Sequence, residues 1–220
     1  ERILNPARYD IPDRVEFVDF MDRIKELSLA GYAPLCLFGS KTKDMFCIMF
    51  KPQQIEILTS IYPEEMAYPS LTTMIPSFHM FERELYEEHG IMPIGHPQLK
   101  PIRKYSDGYL GIGEYPFIRS DSSALHEVGV GPVHAGVIEP GHFRFTCNGE
   151  NVESLEIQLG FQHRGILRYF ESGDIKNKTH IAECIAGDSV VANALAYCSI
   201  VETLSNTVPE SSSIRQIALE

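Results

Sequence analysis

Phe81-Glu82-Arg83-Glu84-Leu85-Tyr86-Glu87-Glu88-His89-Gly90-Ile91-Met92-Pro93-Ile94-Gly95-His96-Pro97-Gln98-Leu99-Lys100-Pro101 is the stretch that decides how the rest of this sequence is interpreted. We call residues 81–101 the signature stretch. Its first nine residues predict a short charged helix, because Gly90 supplies the left-handed residue that commonly ends one. A Gly-His-Pro turn and a basic exit at Lys100 follow. On composition alone, the charged side chains would form a solvated helix face held by local pairs, each worth about 0.2–0.5 kcal/mol.

The order of residues in the signature stretch resembles the small peripheral-arm subunit of respiratory complex I, which we call the C-type module. The shared pattern runs Glu-Arg-Glu, an acidic and aromatic pair, Gly-Ile, and then Gly-His-Pro-x-Leu. The same module occurs in membrane-bound energy-converting hydrogenases, so the resemblance implies a superfamily and leaves the substrate open. It implies a rigid turn at 95–97 and a surface that docks against neighbouring subunits. The implied docking residues are Glu82, Arg83, Glu84, Gly95, His96 and Pro97.

Length and composition limit the classes of protein to consider. The 220 residues suffice for one large or two modest domains. The net charge of −11 without Lys or Arg clusters argues against a nucleic-acid partner. No apolar run reaches the roughly 20 residues of a membrane helix, so we expect any membrane role to act through a partner. Five cysteines without a C-x-x-C pair indicate a reducing compartment and mostly buried thiols.

The first hundred residues predict an α+β domain over residues 1–104. Apolar residues recur at helical spacing from 15 to 29, and a glycine at 31 ends the run. The apolar runs 34–38 and 45–50 predict an antiparallel hairpin, with 55–58 as a third strand. Between 62 and 76, three prolines and the absence of a clear period predict a connection along the surface.

A change of composition then predicts a linker over residues 105–123, which is rich in Gly, Ser, Asp and aromatic residues. Its glycines are not spaced as G-x-G-x-x-G, which excludes a phosphate loop. Beyond it, Asn148-Gly149 predicts a hairpin turn between two strands of a small antiparallel sheet. From residue 165 to the end the pattern is helical. The missing initial Met and the helix pattern at the last residues predict a piece of a longer protein.

The second half, over residues 124–220, resembles the start of the large subunit shared by energy-converting nickel-iron hydrogenases and by complex I, which we call the D-type module. The resemblance implies a truncated large-subunit domain fused behind a C-type domain. The residues that carry it are Gly131-Pro132-x-His134, Glu139-Pro140-Gly141-His142-Phe143-Arg144, Asn148-Gly149-Glu150 and His163-Arg164-Gly165.

The resemblance also implies that this chain has no nickel site. A hydrogenase of the family would carry Arg-x-Cys-Gly-x-Cys here, giving two of the four thiolates that hold nickel. In this sequence the ligand positions are occupied by Ala186 and Ser189, and Cys184 is out of phase with them. Leu167 stands where an acidic proton relay is expected, and leucine cannot exchange a proton.

Complex I offers a second precedent, in which a His of the hairpin loop and a Tyr on a later helix bind quinone. His134 matches that His, but Gly187 lies near the position of the Tyr, so the sequence departs from this quinone site, and a quinone is kept only as an alternative cofactor. Asp188 is the group for which we expect a shifted pKa if it is buried. Two simpler alternatives are that His163 and Arg164 fix a strand-to-helix turn and that Asp188 caps a helix. The polar residues around the implied cavity are His134, Glu139, His142, His163, Glu183, Cys184, Asp188 and Ser189.

Taken together, the two resemblances imply a fragment of a membrane-associated oxidoreductase complex that couples electron transfer to ion translocation. The implied partners are an iron-sulfur small subunit and membrane-embedded antiporter-like subunits, at the cytoplasmic face of the inner membrane. We expect no cofactor in this chain, whose nearest one would be the partner's iron-sulfur cluster, and no activity of the chain alone. Two alternatives are a genuine nickel-iron hydrogenase or formate hydrogenlyase large subunit, and a non-catalytic scaffold.

Overall fold

The computed structural model describes residues 12–105, 108–109, 114–119 and 122–205. The chain divides into two compact units, of which the first is Ile11–Gln162 and the second contains His163–Glu220. Both helices and strands are present, which confirms a mixed α and β class. The division at 162/163 does not follow the linker predicted at 105–123, so the boundaries 1–104 and 124–220 stay a prediction about modules.

The first unit contains most of the regular structure. Its elements are α1 (Phe17–Leu29), β1 (Ala33–Gly39), β2 (Asp44–Lys51), β3 (Gln54–Ile61), β4 (Ala67–Pro69), α2 (His79–His89), β5 (Met92–Ile94), β6 (Lys104–Tyr105), β7 (Gly108–Tyr109), β8 (His126–Val130), β9 (His142–Asn148) and β10 (Asn151–Gln158). Two 3-10 turns, Leu71–Thr73 and Pro76–Phe78, lead into α2. The second unit contains α3 (Ile166–Glu171), α4 (Thr179–Glu183) and α5 (Val190–Ser205), with 3-10 turns at Ile175–Asn177 and Gly187–Ser189.

The first sheet has the antiparallel order β1-β2-β3 and carries α1 on its buried face. Apolar side chains at helical spacing bury one face of α1, as hydrophobic periodicity predicts. The helix, the hairpin and the third strand are therefore confirmed. The core of this part consists of Phe20, Met21, Ile24, Leu27, Tyr32, Leu37, Met45, Cys47, Met49, Tyr68, Leu71, Phe78, Leu85 and Ile91.

The segment 62–76 contributes to this core, so the prediction of a surface connection was wrong. Tyr68 and Leu71 are buried, and β4 pairs in parallel with β5 through Ala67 and Met92. A three-residue strand followed by a 3-10 turn is too short to show any period. The lack of periodicity in residues 62–76 is therefore explained by how short these elements are, and it does not indicate that the segment is exposed.

The second sheet has the antiparallel order β10-β9-β8, and the predicted Asn-Gly turn joins β9 to β10. Its two faces are divided in an unusual way. His142, Glu156 and Gln158 share one face by strand register, and this polar face is buried. The opposite face exposes apolar side chains, namely Val128, Val130, Val152, Leu155 and Ile157.

Between residues 166 and 205 the second unit is helical, as predicted, whereas the predicted helix at the last residues lies outside the described residues. Tyr197 on α5 is buried, and its hydroxyl accepts a hydrogen bond from the Lys178 backbone N–H at 3.0 Å. The Lys178 ammonium donates to the Phe170 carbonyl oxygen at 2.7 Å. Among the residues described, no helix combines the length and apolarity that crossing a bilayer requires.

Candidate functional site

The carboxylate of Glu82 lies inside the first unit, where its residue is 0% exposed. One oxygen accepts a hydrogen bond from the Leu71 backbone N–H at 2.8 Å. The other accepts from the Ser70 hydroxyl at 2.7 Å and from the Thr72 hydroxyl and N–H at 2.5 and 3.0 Å. Four donors around one carboxylate satisfy a buried charge without an ion pair. Glu82 thus fastens a 3-10 turn to α2, and the solvated-face alternative is wrong for this residue.

The neighbouring Arg83 is also buried, at 5% exposure. Its guanidinium donates to the carbonyl oxygens of Lys100 at 2.6 Å and Pro101 at 2.8 Å. It also donates to the Tyr115 hydroxyl at 3.2 Å. Burial raises the pKa of Tyr115, and the positive charge of Arg83 opposes that rise. The planar guanidinium therefore fixes the exit of the signature stretch at three acceptors.

Glu84 and Glu87 extend this network along α2. The Glu87 carboxylate accepts hydrogen bonds from the backbone N–H groups of Ile102 at 2.7 Å and Arg103 at 3.1 Å. The Arg103 side chain pairs with Glu84. The charged residues at 82, 83, 84 and 87 therefore all contact their own chain. α2 uses them to hold two segments that are distant in sequence.

Two glycines shape the turn that follows α2. Gly90 has φ +72° and ends the helix, as predicted, and Gly95 has φ +79° at the start of the Gly-His-Pro turn. His96 Nδ1 accepts from the Gln98 backbone N–H at 3.1 Å, so its Nε2 carries the proton and donates to the His79 carbonyl oxygen at 3.2 Å. Burial lowers the pKa of both His79 and His96.

Lys100, at the end of the signature stretch, pairs with Glu156 on the second sheet. The second Glu156 oxygen accepts from the Ile118 backbone N–H at 2.6 Å. Both side chains are largely buried. The signature stretch and the second sheet are therefore joined by a charge-assisted contact inside the first unit.

The predicted docking residues fall into two groups in this structure. Glu82, Arg83 and Glu84 direct their side-chain contacts to their own chain, as described above. Gly95 and Pro97 are exposed, and His96 is half-buried. A docking role for these six residues stays a prediction. The turn at 95–97 is the part of the predicted docking surface that is exposed.

Three predicted cavity residues lie in the loop between β8 and β9 or at its end. His134 Nε2 is 2.7 Å from the Gly141 carbonyl oxygen, and His142 Nδ1 is 3.1 Å from that of Gly131. A carbonyl oxygen only accepts, so each of these ring nitrogens carries a hydrogen and donates a hydrogen bond across the loop. Glu139 is exposed. The structure brings the two histidines together as groups that close one loop.

The remaining cavity candidates belong to the second unit. Arg164 donates to the carbonyl oxygens of Cys184 and Ile185, which ties the start of this unit to the end of α4. Asp188 is exposed and so lacks the burial on which its predicted perturbation depended. Ser189 accepts a hydrogen bond from the Asn193 amide at 3.1 Å. His163 is half-buried, and Glu183 and Cys184 are exposed. A cavity shared by these residues and the histidines of the first unit stays a prediction.

No group of three or more His, Cys, Asp and Glu side chains within the described ranges is arranged to hold a metal ion. Ala186 and Ser189, the two positions at which the family resemblance would place thiolates, follow α4 directly. Neither an alanine methyl group nor a serine hydroxyl is a soft ligand of the kind that holds nickel.

Sequence reasoning missed the acceptors and donors that give the signature stretch its contacts. Ser70 and Thr72 lie ten or more residues before Glu82, and Glu156 lies 56 residues after Lys100. Alternation in β10 places Glu156 on the polar face, which is ordinarily the solvated one. The only available signal was an acidic residue between two apolar ones, which is common in exposed strands.

Comparison with known proteins gives these observations a context. Residues 15–118 match the family model described as the 30 Kd subunit of respiratory-chain NADH dehydrogenase. The chain is 31% identical over 176 residues to hydrogenase-4 component G of Escherichia coli, which covers 70% of this chain and 32% of that protein. It is 30% identical over 190 residues to formate hydrogenlyase subunit 5 of the same organism. That alignment covers 76% of this chain and 33% of that protein.

A third relative is the C/D subunit of NADH-quinone oxidoreductase from Phocaeicola vulgatus, 25% identical over 142 residues, which covers 50% of this chain and 27% of that protein. The chain spans about a third of the length of the curated relatives it matches. Residues 15–118 are thus similar to the 30 Kd subunit of respiratory-chain NADH dehydrogenase, and the chain is similar to hydrogenase and NADH-quinone oxidoreductase subunits.

Proposed function

We propose that this chain is part of a membrane-associated, multi-subunit oxidoreductase that couples electron transfer to ion translocation. The observation that carries the proposal is the match of residues 15–118 to a respiratory-chain domain, in a chain whose longer relatives are named as hydrogenase and formate hydrogenlyase components. Its place would be peripheral, at the cytoplasmic face of the inner membrane.

The first unit would contribute structure and docking rather than chemistry. Its most unusual charged groups, Glu82 and Arg83, are satisfied by contacts within the chain and so are engaged in holding the fold rather than in acting on a substrate. The surface open to a partner is the turn at 95–97 with the neighbouring Ile94, which is 59% exposed. An exposed aliphatic side chain beside a turn shaped by a glycine and a proline presents a rigid contact to another subunit.

The partners we propose are an iron-sulfur small subunit and membrane-embedded antiporter-like subunits. Electrons would pass through the partner's cluster, and a quinone is the candidate acceptor. A nickel site is not part of this proposal, because Ala186 and Ser189 stand where thiolates would be needed. The chain alone should therefore show no redox turnover.

Purification of the full-length protein with its native partners, followed by nickel and iron analysis, tests this function. We expect iron, carried by a partner, and less than stoichiometric nickel. Stoichiometric nickel would overturn the nickel-free assignment and make hydrogen chemistry the leading function. Partners recovered without iron or nickel would overturn the oxidoreductase assignment and favour the non-catalytic scaffold.

The same purification tests the docking surface when Ile94→Asp is introduced. We expect the partners to be lost from the purified material while the thermal unfolding of the chain is unchanged, because the side chain is exposed. Leu29→Asp on α1 is the matched control, since Leu29 is 90% exposed and lies outside the signature stretch. Equal recovery of partners with both variants would show that the turn is not the docking surface.

A further inference from the structure

The polar face of the second sheet is buried against the exit of the signature stretch. Glu156, which is 6% exposed, pairs with Lys100 through one oxygen and accepts from the Ile118 N–H through the other. Lys100 and the Ile118 N–H, which lie on either side of residues 105–117 in the sequence, thus both contact the Glu156 carboxylate. A carboxylate in this setting is stable only while both donors are present, because a buried charge without partners is costly.

A second contact joins the same two parts of the chain through backbone. Gly160, just after β10, has φ +94°, and a Cβ placed there would lie 2.5 Å from the Ile102 carbonyl oxygen and 3.4 Å from the Arg103 Cα. Only a glycine allows this approach, both because of its φ and because of the space. The sheet therefore fits the exit segment by shape as well as by charge.

The exit segment itself is held rigid from the other side. Arg83 binds the carbonyl oxygens of Lys100 and Pro101, and Glu87 binds the N–H groups of Ile102 and Arg103. Every backbone group that these two side chains reach belongs to residues 100–103. α2 thus presents this short segment in a fixed shape to the second sheet.

We propose that the polar face of the second sheet is a recognition surface for residues 100–103, and that this joint, rather than the covalent connection through 105–123, holds the two modules together. The partner it fits is a basic segment with a pre-formed backbone, as supplied by a domain of the 30 Kd type. Lys100 supplies the charge, Gly160 supplies the space, and Glu156 is the positioning residue on the sheet.

Cleavage of the folded full-length chain tests the joint directly. Residues 110–113 are replaced by a recognition sequence for a site-specific protease, and the cleaved protein is passed over a size-exclusion column. We expect the two parts of the parent protein to elute together. Glu156→Lys should weaken their association on the order of 100-fold or more, because it places two like charges in a buried site. The double variant Lys100→Glu with Glu156→Lys should restore much of the association.

Glu127→Lys is the matched control, since Glu127 pairs with Arg144 on the same sheet at a more exposed position. It should leave the association within a few-fold of the parent. Gly160→Ala is an independent variant that blocks the backbone approach without changing charge, and it should also separate the parts. Circular dichroism of each uncleaved variant shows whether the secondary structure is retained.

Three results would overturn the proposal. The parts of the cleaved parent could separate without any substitution. Folded Glu156→Lys and Gly160→Ala proteins could stay associated as tightly as the parent. The charge-reversed double variant could associate no better than Glu156→Lys alone.

Discussion

Helix α2 in the first unit and helix α5 in the second reverse the usual distribution of polarity. α2 places Glu82 and Arg83 in the interior, where each is surrounded by hydrogen-bond partners. α5 is apolar along much of its length, yet it leaves Val191, Ile200 and Leu204 exposed. A helix that is apolar on all sides is ordinarily buried. The comparison shows that charged side chains form internal contacts in one unit, while apolar side chains lie exposed in the other.

Removal of the Glu82 carboxylate should give the largest change in the free energy of unfolding. Glu82→Ala leaves up to three buried donors without an acceptor, because the Thr72 N–H keeps the Ser70 hydroxyl oxygen, so we expect a loss of about 3–5 kcal/mol in the free energy of unfolding. Urea denaturation, followed at the unfolding transition of the first unit, measures this loss of stability. Glu65→Ala, at an exposed position of the same unit, is the control and should change stability by about 0.5 kcal/mol or less. Equal effects of the two variants would show that burial of Glu82 does not matter for stability.

In the second unit the contact chosen for comparison is the hydrogen bond between the Tyr197 hydroxyl and the Lys178 N–H. Tyr197→Phe removes the hydroxyl that accepts from the Lys178 N–H, so we expect a loss of about 1 kcal/mol. Thermal unfolding measures the change. Tyr169→Phe, on an exposed residue of α3, serves as the control and should be neutral. A loss as large as that of Glu82→Ala would contradict the difference drawn between the units.

The smallest expected effect is a dependence of stability on pH at the signature turn. His79 and His96 have pKa values lowered by burial, so the unfolded chain takes up protons before the folded one does. Other charges face this pair, namely Arg83, which lowers both pKa values, and Glu82, which raises them. The contribution of the two histidines to the free energy of unfolding is fully present above the unfolded pKa of about 6.5. It is lost as the pH falls through their lowered folded pKa values.

Urea midpoints between pH 5 and 7.5 measure this dependence. The double variant His79→Gln, His96→Gln should flatten the part of the slope that lies just below pH 6.5. The matched control is His126→Gln on β8, which is exposed and outside the turn. An unchanged slope in the double variant would show that the two histidines do not titrate differently in the folded and unfolded chains.

Much of the fold can be predicted from periodicity, whereas the long-range hydrogen bonds and ion pairs that hold its parts together cannot. Spacing alone predicts α1, the first hairpin and the Asn-Gly turn, because each depends on neighbours within a few residues. The burial of Glu82 depends on Ser70 and Thr72, and that of Lys100 depends on a strand more than fifty residues away. No local pattern reports such partners.

The second sheet shows the same limit in another form. Alternation along β10 correctly separates its polar from its apolar residues. Alternation does not predict which of the two faces is covered, because the groups that cover it come from residues 100–103 and 117–118. The usual rule assigns the apolar face to the interior, and this sheet buries Glu156 and Gln158 instead.

That outward apolar face has a practical consequence for anyone producing the protein. Val128 and Val130 on β8 share this face with Val152, Leu155 and Ile157 on β10, and the central strand β9 lies between the two sets. All five side chains are exposed apolar groups, which water does not favour. Exposed apolar side chains favour contact with one another, so we expect the purified chain to self-associate as its concentration rises. If the proposed partners cover this face, co-expression with them should improve yield and monodispersity.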